Sequence, residues 1–224
     1  MKIIPFIIIF SYLFSFPVQA INVGEVTSIM SPDISRLTKE IGNPTDSARL
    51  VSLKIKRISS PLADGIVIPM ESPLELLATP VSQIMPGRSK ENFRIFYNGP
   101  EDDKERYYHL SWSDEPVTDD DTKSSKKQGV ATTSAIINTI LVVAPRKENF
   151  DFIRQGETIT NKGNASFRVI SYGPCRNKTQ DIGQGCRERY YLMPGMSVKI
   201  QHIDFSKGKS RIGIWHGEDY INVN

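Results

Sequence analysis

The sequence predicts an all-β protein of two sandwich domains, and three observations predict it. Short runs in which apolar and polar residues alternate recur along the chain, each the mark of a strand with one buried face. Turn clusters rich in Gly, Pro, Asn and Ser separate these runs. No stretch after the first twenty residues holds the 3.6-residue apolar period of an amphipathic helix over a useful length. At 224 residues, there is room for two domains of ordinary size.

The chain opens with Lys2, a largely apolar run from Ile3 to Phe16, and then Pro17-Val18-Gln19-Ala20. Small residues at positions 18 and 20 suit cleavage before Ile21, so residues 1–20 read as a signal peptide and the mature chain as exported. The apolar run is shorter than the roughly 20 residues that span a bilayer, and no later segment is long enough, so stable membrane insertion is not expected. The formal charge of +3 is too balanced to indicate nucleic acid.

Each strand follows from its alternation. Val51, Leu53 and Ile55 are interleaved with Ser52, Lys54 and Lys56; Phe93, Ile95 and Tyr97 with Arg94; Val198 and Ile200 with Lys199 and Gln201; Ile212 and Ile214 with Arg211 and Gly213. These are half-buried sandwich strands. Turns are expected at Gly42-Asn43-Pro44, Ser60-Pro61, Met85-Pro86-Gly87, Asn98-Gly99-Pro100, Asn161 to Asn164 and Met193-Pro194-Gly195. From Ser111 to Gln128 the chain is polar and reads as a long loop. Its Asp119-Asp120-Asp121 lacks the alternating ligand spacing of a calcium loop, and a solvated loop tip is expected there.

The run Val130 to Val143, VATTSAIINTILVV, breaks the pattern because both of its faces are apolar. One parity carries Ala131, Thr133, Ala135, Ile137, Thr139 and Leu141; the other carries Ile136, Ile140 and Val142, interrupted by Asn138. A strand buried by its own domain alone would show polar residues at every second position. Either it is central and covered on both sides, or it keeps one face for its own core and offers the other to a second protein. Pro145 ends the run, and Arg146-Lys147-Glu148-Asn149 reads as an exposed hinge, which places the division between residues 21–146 and 147–224.

Cys175 and Cys186 are the only cysteines. In an exported chain, a pair this close in sequence is read as a disulfide. Catalysis finds little support: His109, His202 and His216 are far apart, and no HExxH, GxSxG or phosphate-loop pattern occurs. No cofactor and no metal site are expected, and the chain reads as a non-enzyme. Asn164-Ala165-Ser166 and Asn177-Lys178-Thr179 match the glycosylation pattern, but nothing else indicates a glycosylating compartment.

Four segments together resemble the PapD-like periplasmic chaperones of chaperone–usher pilus assembly, most closely the common-pilus type of the alternate branch. They are Lys104-Glu105-Arg106-Tyr107-Tyr108-His109-Leu110, similar to the family's ERxxYxL strand; Thr139 to Arg146, similar to the last strand of domain 1 and its hinge; Ile159-Thr160-Asn161 through Val169, similar to its I-x-N segment; and Tyr191 to Ser197, similar to its M-x-x-P turn. The resemblance implies a boomerang of two immunoglobulin-like sandwiches in the periplasm, with pilin subunits and an outer-membrane usher as partners. It implies donor-strand complementation, in which the long strand fills the groove of an incomplete subunit.

For insertion, Ala131, Thr133, Ala135, Ile137 and Leu141 are the first choice, with Ile136, Ile140 and Val142 as the alternative. The family's basic pair for a subunit's terminal carboxylate aligns with Thr27 and Ile140, so the pair is missing. Thr27 and Thr139, with Arg106 and Arg146 in reserve, are the candidate anchors; an interdomain salt bridge, with Glu105 as partner, is the competing role for the two arginines. An uncapped strand also implies self-capping, by a homodimer or by the Ser111–Gln128 loop. A pilin or adhesin, or a sugar-binding sandwich, are the alternative functions; the former would need a free N-terminal extension and the latter exposed aromatics, whereas Trp112 and Trp215 sit in strand patterns.

Overall fold

The computed structural model describes residues 20–117, 134–177, 185–217 and 219–223. The leader, the loop with Asp119–Asp121, Ala131 and Thr133 lie outside the described residues. Eight strands form the first unit: β1 (Thr27–Met30), β2 (Arg36–Gly42), β3 (Arg49–Ile58), β4 (Leu76–Thr79), β5 (Ser82–Met85), β6 (Lys90–Tyr97), β7 (Arg106–Pro116) and β8 (Ala135–Val143). They make a five-stranded sheet ordered β1-β8-β7-β3-β5, faced by a three-stranded sheet β2-β6-β4. Seven strands form the second: β9 (Phe152–Gln155), β10 (Thr158–Asn161), β11 (Phe167–Gly173), β12 (Cys186–Leu192), β13 (Ser197–Lys199), β14 (Arg211–His216) and β15 (Asp219–Val223). Their sheets are β13-β10-β9 and β12-β11-β14-β15. The result is the two-sandwich, all-β architecture expected from the sequence.

The alternation explains the packing. Val51 and Leu53 of β3, Phe93 and Ile95 of β6, and Leu110 and Trp112 of β7 turn inward and are buried. Trp112 meets Phe93 edge-on, with ring centroids 5.2 Å apart, the arrangement that aligns ring edge with ring face. In the second unit Ile159, Phe167, Val169, Leu192, Ile212 and Ile214 form a separate core. Between the units lies a third apolar cluster, in which Ile58, Tyr107, Val142 and Ile140 of the first meet Tyr191 and Met193 of the second.

The hinge is less free than its composition suggests. Arg146 is half-buried; its guanidinium donates to the carbonyls of Ser31 and Pro32 at 2.6 and 2.8 Å and lies over the Tyr97 ring at 4.8 Å. Glu148 is hydrogen-bonded to His216. Glu105, before β7, accepts from the backbone N–H and the hydroxyl of Ser166 in the second unit. These ties fix how the two sandwiches meet.

Cys175 and Cys186 are bonded, which staples the β11–β12 hairpin at its loop end, where Gly173 pairs with Cys186. In the loop-entropy account, a crosslink over so short a segment stabilises the folded chain by about 3 kcal/mol. The double variant Cys175→Ala/Cys186→Ala should therefore unfold at lower denaturant in a urea titration, by an amount near that figure; coincident curves for variant and parent would show that the bridge adds nothing.

Candidate functional site

The site is built on β8. Along its whole length β8 pairs antiparallel with β7. On its other edge it pairs parallel with β1, but only from Ile140 to Val143, with Ile140 N–H donating to the Val26 carbonyl at 2.8 Å. From Ala135 to Thr139 that edge has no strand beside it among the described residues. Backbone donors and acceptors there point outward, which is how a sheet accepts another strand.

The two faces of β8 are now distinguishable. Leu141 and Thr139 are fully buried, and Ile137 packs against the same first-unit core. Over Ile137–Leu141 the parity first chosen for insertion is thus occupied by the chain's own core, so Ile137 and Leu141 are not free side chains, while Ala135 is half-buried and belongs to no core cluster. The opposite parity faces out: Ile136 is 72% exposed, Asn138 is exposed and Ile140 half-buried. Val142, at the hinge end, is closed off by Tyr191 and Met193.

The candidate anchors separate in the same way. Thr27 lies directly opposite Ile140 in the β1–β8 register, exposed on the cleft. Thr139 is not available: its hydroxyl oxygen accepts from Trp112 Nε1 at 3.1 Å and its O–H lies 3.4 Å from the Leu110 carbonyl. Removing it would leave the indole N–H buried and unpaired, which costs about 1–3 kcal/mol. Arg106 is not available either. Its guanidinium is buried and held by both carboxylate oxygens of Asp102 at 2.7 and 2.8 Å and by Glu71 at 3.0 Å. Arg106 does not pair with Glu105, whose interdomain partner is the neutral Ser166. Arg146 is committed to the carbonyls and ring described above.

Between the units is a cavity of about 720 Å3, to which β1 gives Thr27 and Ile29, β8 gives Ile140 and Val142, and the second unit gives Arg168, Tyr191 and Trp215. Tyr191, Arg168 and Trp215 form one cross-strand row, because Arg168 pairs with Tyr191 on β12 and with Trp215 on β14. The row is packed from the side: Trp215 lies against the Tyr220 ring, centroids 5.3 Å apart. That ring covers Gly213, where an added Cβ would come within 2.3 Å of the Tyr220 hydroxyl, so a larger residue there would displace the ring. Arg168 is exposed and makes no ion pair or hydrogen bond among the described residues. Glu25 lines the same cavity, and the buried Lys39 donates to its backbone carbonyl at 2.8 Å.

Comparison with known proteins decides the family. The model of the EcpB C-terminal domain matches residues 150–223. The probable fimbrial chaperone EcpB of Escherichia coli O18:K1:H7 is 46% identical over 207 residues, 92% of each chain, and that of strain K12 is 45% identical over the same span. The chain belongs to the EcpB fimbrial chaperones. Among solved structures, the class 5 fimbrial chaperone CfaA shares the fold at a TM-score of 0.55 and 15% identity, over 91% of this chain and 98% of that one. A chain from a chaperone–tip adhesin complex of CFA/I fimbriae does so at 0.52 and 14%, over 92% and 98%.

For this EcpB-family chain, Arg168 is the site residue that sequence reasoning missed. Its only signal is its place as the outward residue of the Phe167-Arg168-Val169 alternation. Among the described residues no group of three or more His, Cys, Asp or Glu is placed to hold a metal, and no helix is long and apolar enough to cross a membrane.

The Arg106 cluster gives a test of structure apart from binding. Its hydrogen bonds hold the Asp102 carboxyl down at about 2, below the ordinary value near 3.9. A depressed carboxyl contributes stability above its unfolded value and loses it as pH falls through the folded one. The parent's melting temperature should therefore drop between about pH 4 and pH 2, and the slope should be shallower in Asp102→Asn; equal slopes would remove this ion pair from the acid response.

Proposed function

We propose that this chain is a periplasmic chaperone that captures a fimbrial subunit by donating the free edge and outward face of β8, and passes it to an outer-membrane usher. The observation that carries this is the combination, in one segment, of an unpaired strand edge at Ala135–Thr139 with the 72% exposed Ile136. An edge of this kind aggregates unless a partner covers it. Family membership and the leader-like N-terminus agree with an exported chaperone.

β1 sets where a parallel client strand must end. A strand added beside Ala135–Thr139 and parallel to β8 runs in line with β1 and must stop where β1 begins, at Val26–Thr27. Its last residue then arrives at Thr27 and Ile140, in the cavity that holds Arg168. A terminal carboxylate entering the cavity loses water and needs donors. The Thr27 hydroxyl and the unengaged Arg168 guanidinium are suited to supply them, one from each sandwich, in place of the basic pair expected from the wider family. Burying Ile136 in a subunit groove stabilises the complex by roughly 1.5–3 kcal/mol, and Ile140, already half-buried, adds less. Until a subunit arrives, the same edge is open to self-capping by a second copy.

Two outcomes follow. Ile136→Asp/Ile140→Asp should abolish recovery of subunit with tagged chaperone from periplasmic extracts; because Ile140 also packs on the interdomain cluster, Ile136→Asp alone, at a 72% exposed position, should show the same direction of loss with the parent's melting temperature, and unchanged recovery would exclude this face. Arg168→Ala should weaken capture by about ten- to a hundredfold, the loss of a hydrogen bond to a charged group, and Arg168→Lys should recover part of it. Parent-like capture by Arg168→Ala would place the anchor elsewhere.

A further inference from the structure

The outward face of the second unit's four-stranded sheet is a basic surface that continues from the cleft. Arg187 and Arg189 of β12, Arg168 and Tyr172 of β11, Arg211 of β14, and Tyr220 and Asn222 of β15 share one parity and are exposed; Tyr191, Trp215, Gly213 and Ile170 share it too, but Ile170 is buried among its neighbours and Tyr191 packs on the domain junction. The register arranges them in three rows: Arg187–Tyr172–Arg211, then Arg189–Ile170–Gly213–Asn222, then Tyr191–Arg168–Trp215–Tyr220. All four arginines are exposed, and no carboxylate occupies an outward position on these strands. None of the four forms a salt bridge among the described residues. Arg187 lies over the Tyr172 ring at 4.9 Å, and Tyr172 and Tyr220 are themselves 42% and 49% exposed. Arginine beside exposed tyrosine is the side-chain mixture enriched at protein interfaces. The remaining carboxylate of β12, Glu188, is turned inward and bound by the backbone N–H groups of Gln201 and His202, so it does not offset the face.

We propose that this arginine face is a second contact surface for the captured subunit, and that it selects subunits carrying an acidic patch beside the strand that enters the cleft. The inference rests on the subunit occupying the cleft as described above. Continuity with the cleft decides between a subunit and a separate partner. The row Tyr191–Arg168–Trp215 belongs to both the cleft and the face, and makes the continuation direct. Exposed charges of one sign act chiefly on the rate of encounter and lose their effect as salt rises.

The test is capture of urea-denatured cognate subunit on dilution into purified full-length chaperone, followed at about 0.02 M and about 0.3 M NaCl, where screening lengths differ more than threefold. The variants are Arg187→Glu/Arg189→Glu/Arg211→Glu and the corresponding triple lysine variant, with Arg168 intact and folding checked by thermal melts. The parent and the lysine variant should capture about tenfold faster at low salt than at high salt. The glutamate variant should be slow at both, with little salt dependence. Capture by the glutamate variant at the parent's rate and with the parent's salt dependence overturns the proposal. So does normal capture combined with loss of fimbriae from cells, because the acidic partner would then act after the subunit is bound. Failure of the parent to capture at all, or indifference to Ile136→Asp/Ile140→Asp, would instead count against the donated strand.

Discussion

What this molecule can offer a partner follows from the unequal pairing of β8. One edge is satisfied by β7 throughout, while the other is satisfied by β1 only over the hinge-proximal four residues. Unpaired backbone groups at a sheet edge demand another strand or water, so among the described residues the Ala135–Thr139 edge is open to a further strand. β1 closes one end of that edge, and closes it beside the interdomain cavity. The client's geometry is thereby constrained before any side chain is considered.

Side chains then divide β8 into three zones. Its inward parity, Ile137, Thr139 and Leu141, belongs to the first sandwich, and the Thr139–Trp112 hydrogen bond locks it there. At the hinge end the outward parity belongs to the domain interface, where Val142 meets Tyr191 and Met193. Ile136 and Asn138 remain for a partner among the described residues, and Ile140 is shared between the cleft and that interface. The strand that binds the client therefore also joins the two sandwiches. Glu105 contributes to the same joint: burial raises its pKa, more than the hydrogen bonds from Ser166 lower it.

The sequence made the strands legible because a half-buried strand writes its burial as alternation, and β3, β6 and β14 did so. Turn chemistry marked Met193-Pro194-Gly195, and the paired cysteines marked their own bridge. The donated face was not legible: a strand apolar on both sides has a period but no sign, and burial alone separates Ile137 from Ile136. Neither were the roles of Thr139 and Arg106, whose partners Trp112 and Glu71 are 27 and 35 residues away in sequence. Arg168 looked like any outward arginine until the β11–β12–β14 register set it between two aromatic residues on the cavity wall.

Amide hydrogen exchange of the chaperone with and without bound subunit tests the donated edge most directly. If the subunit adds a strand beside β8, alternate amides between Ala135 and Thr139, unprotected in the free protein, should become strongly protected in the complex, while those from Ile140 to Val143 are protected in both. Unchanged exchange at Ala135–Thr139 in a complex that holds subunit would contradict strand addition at this edge.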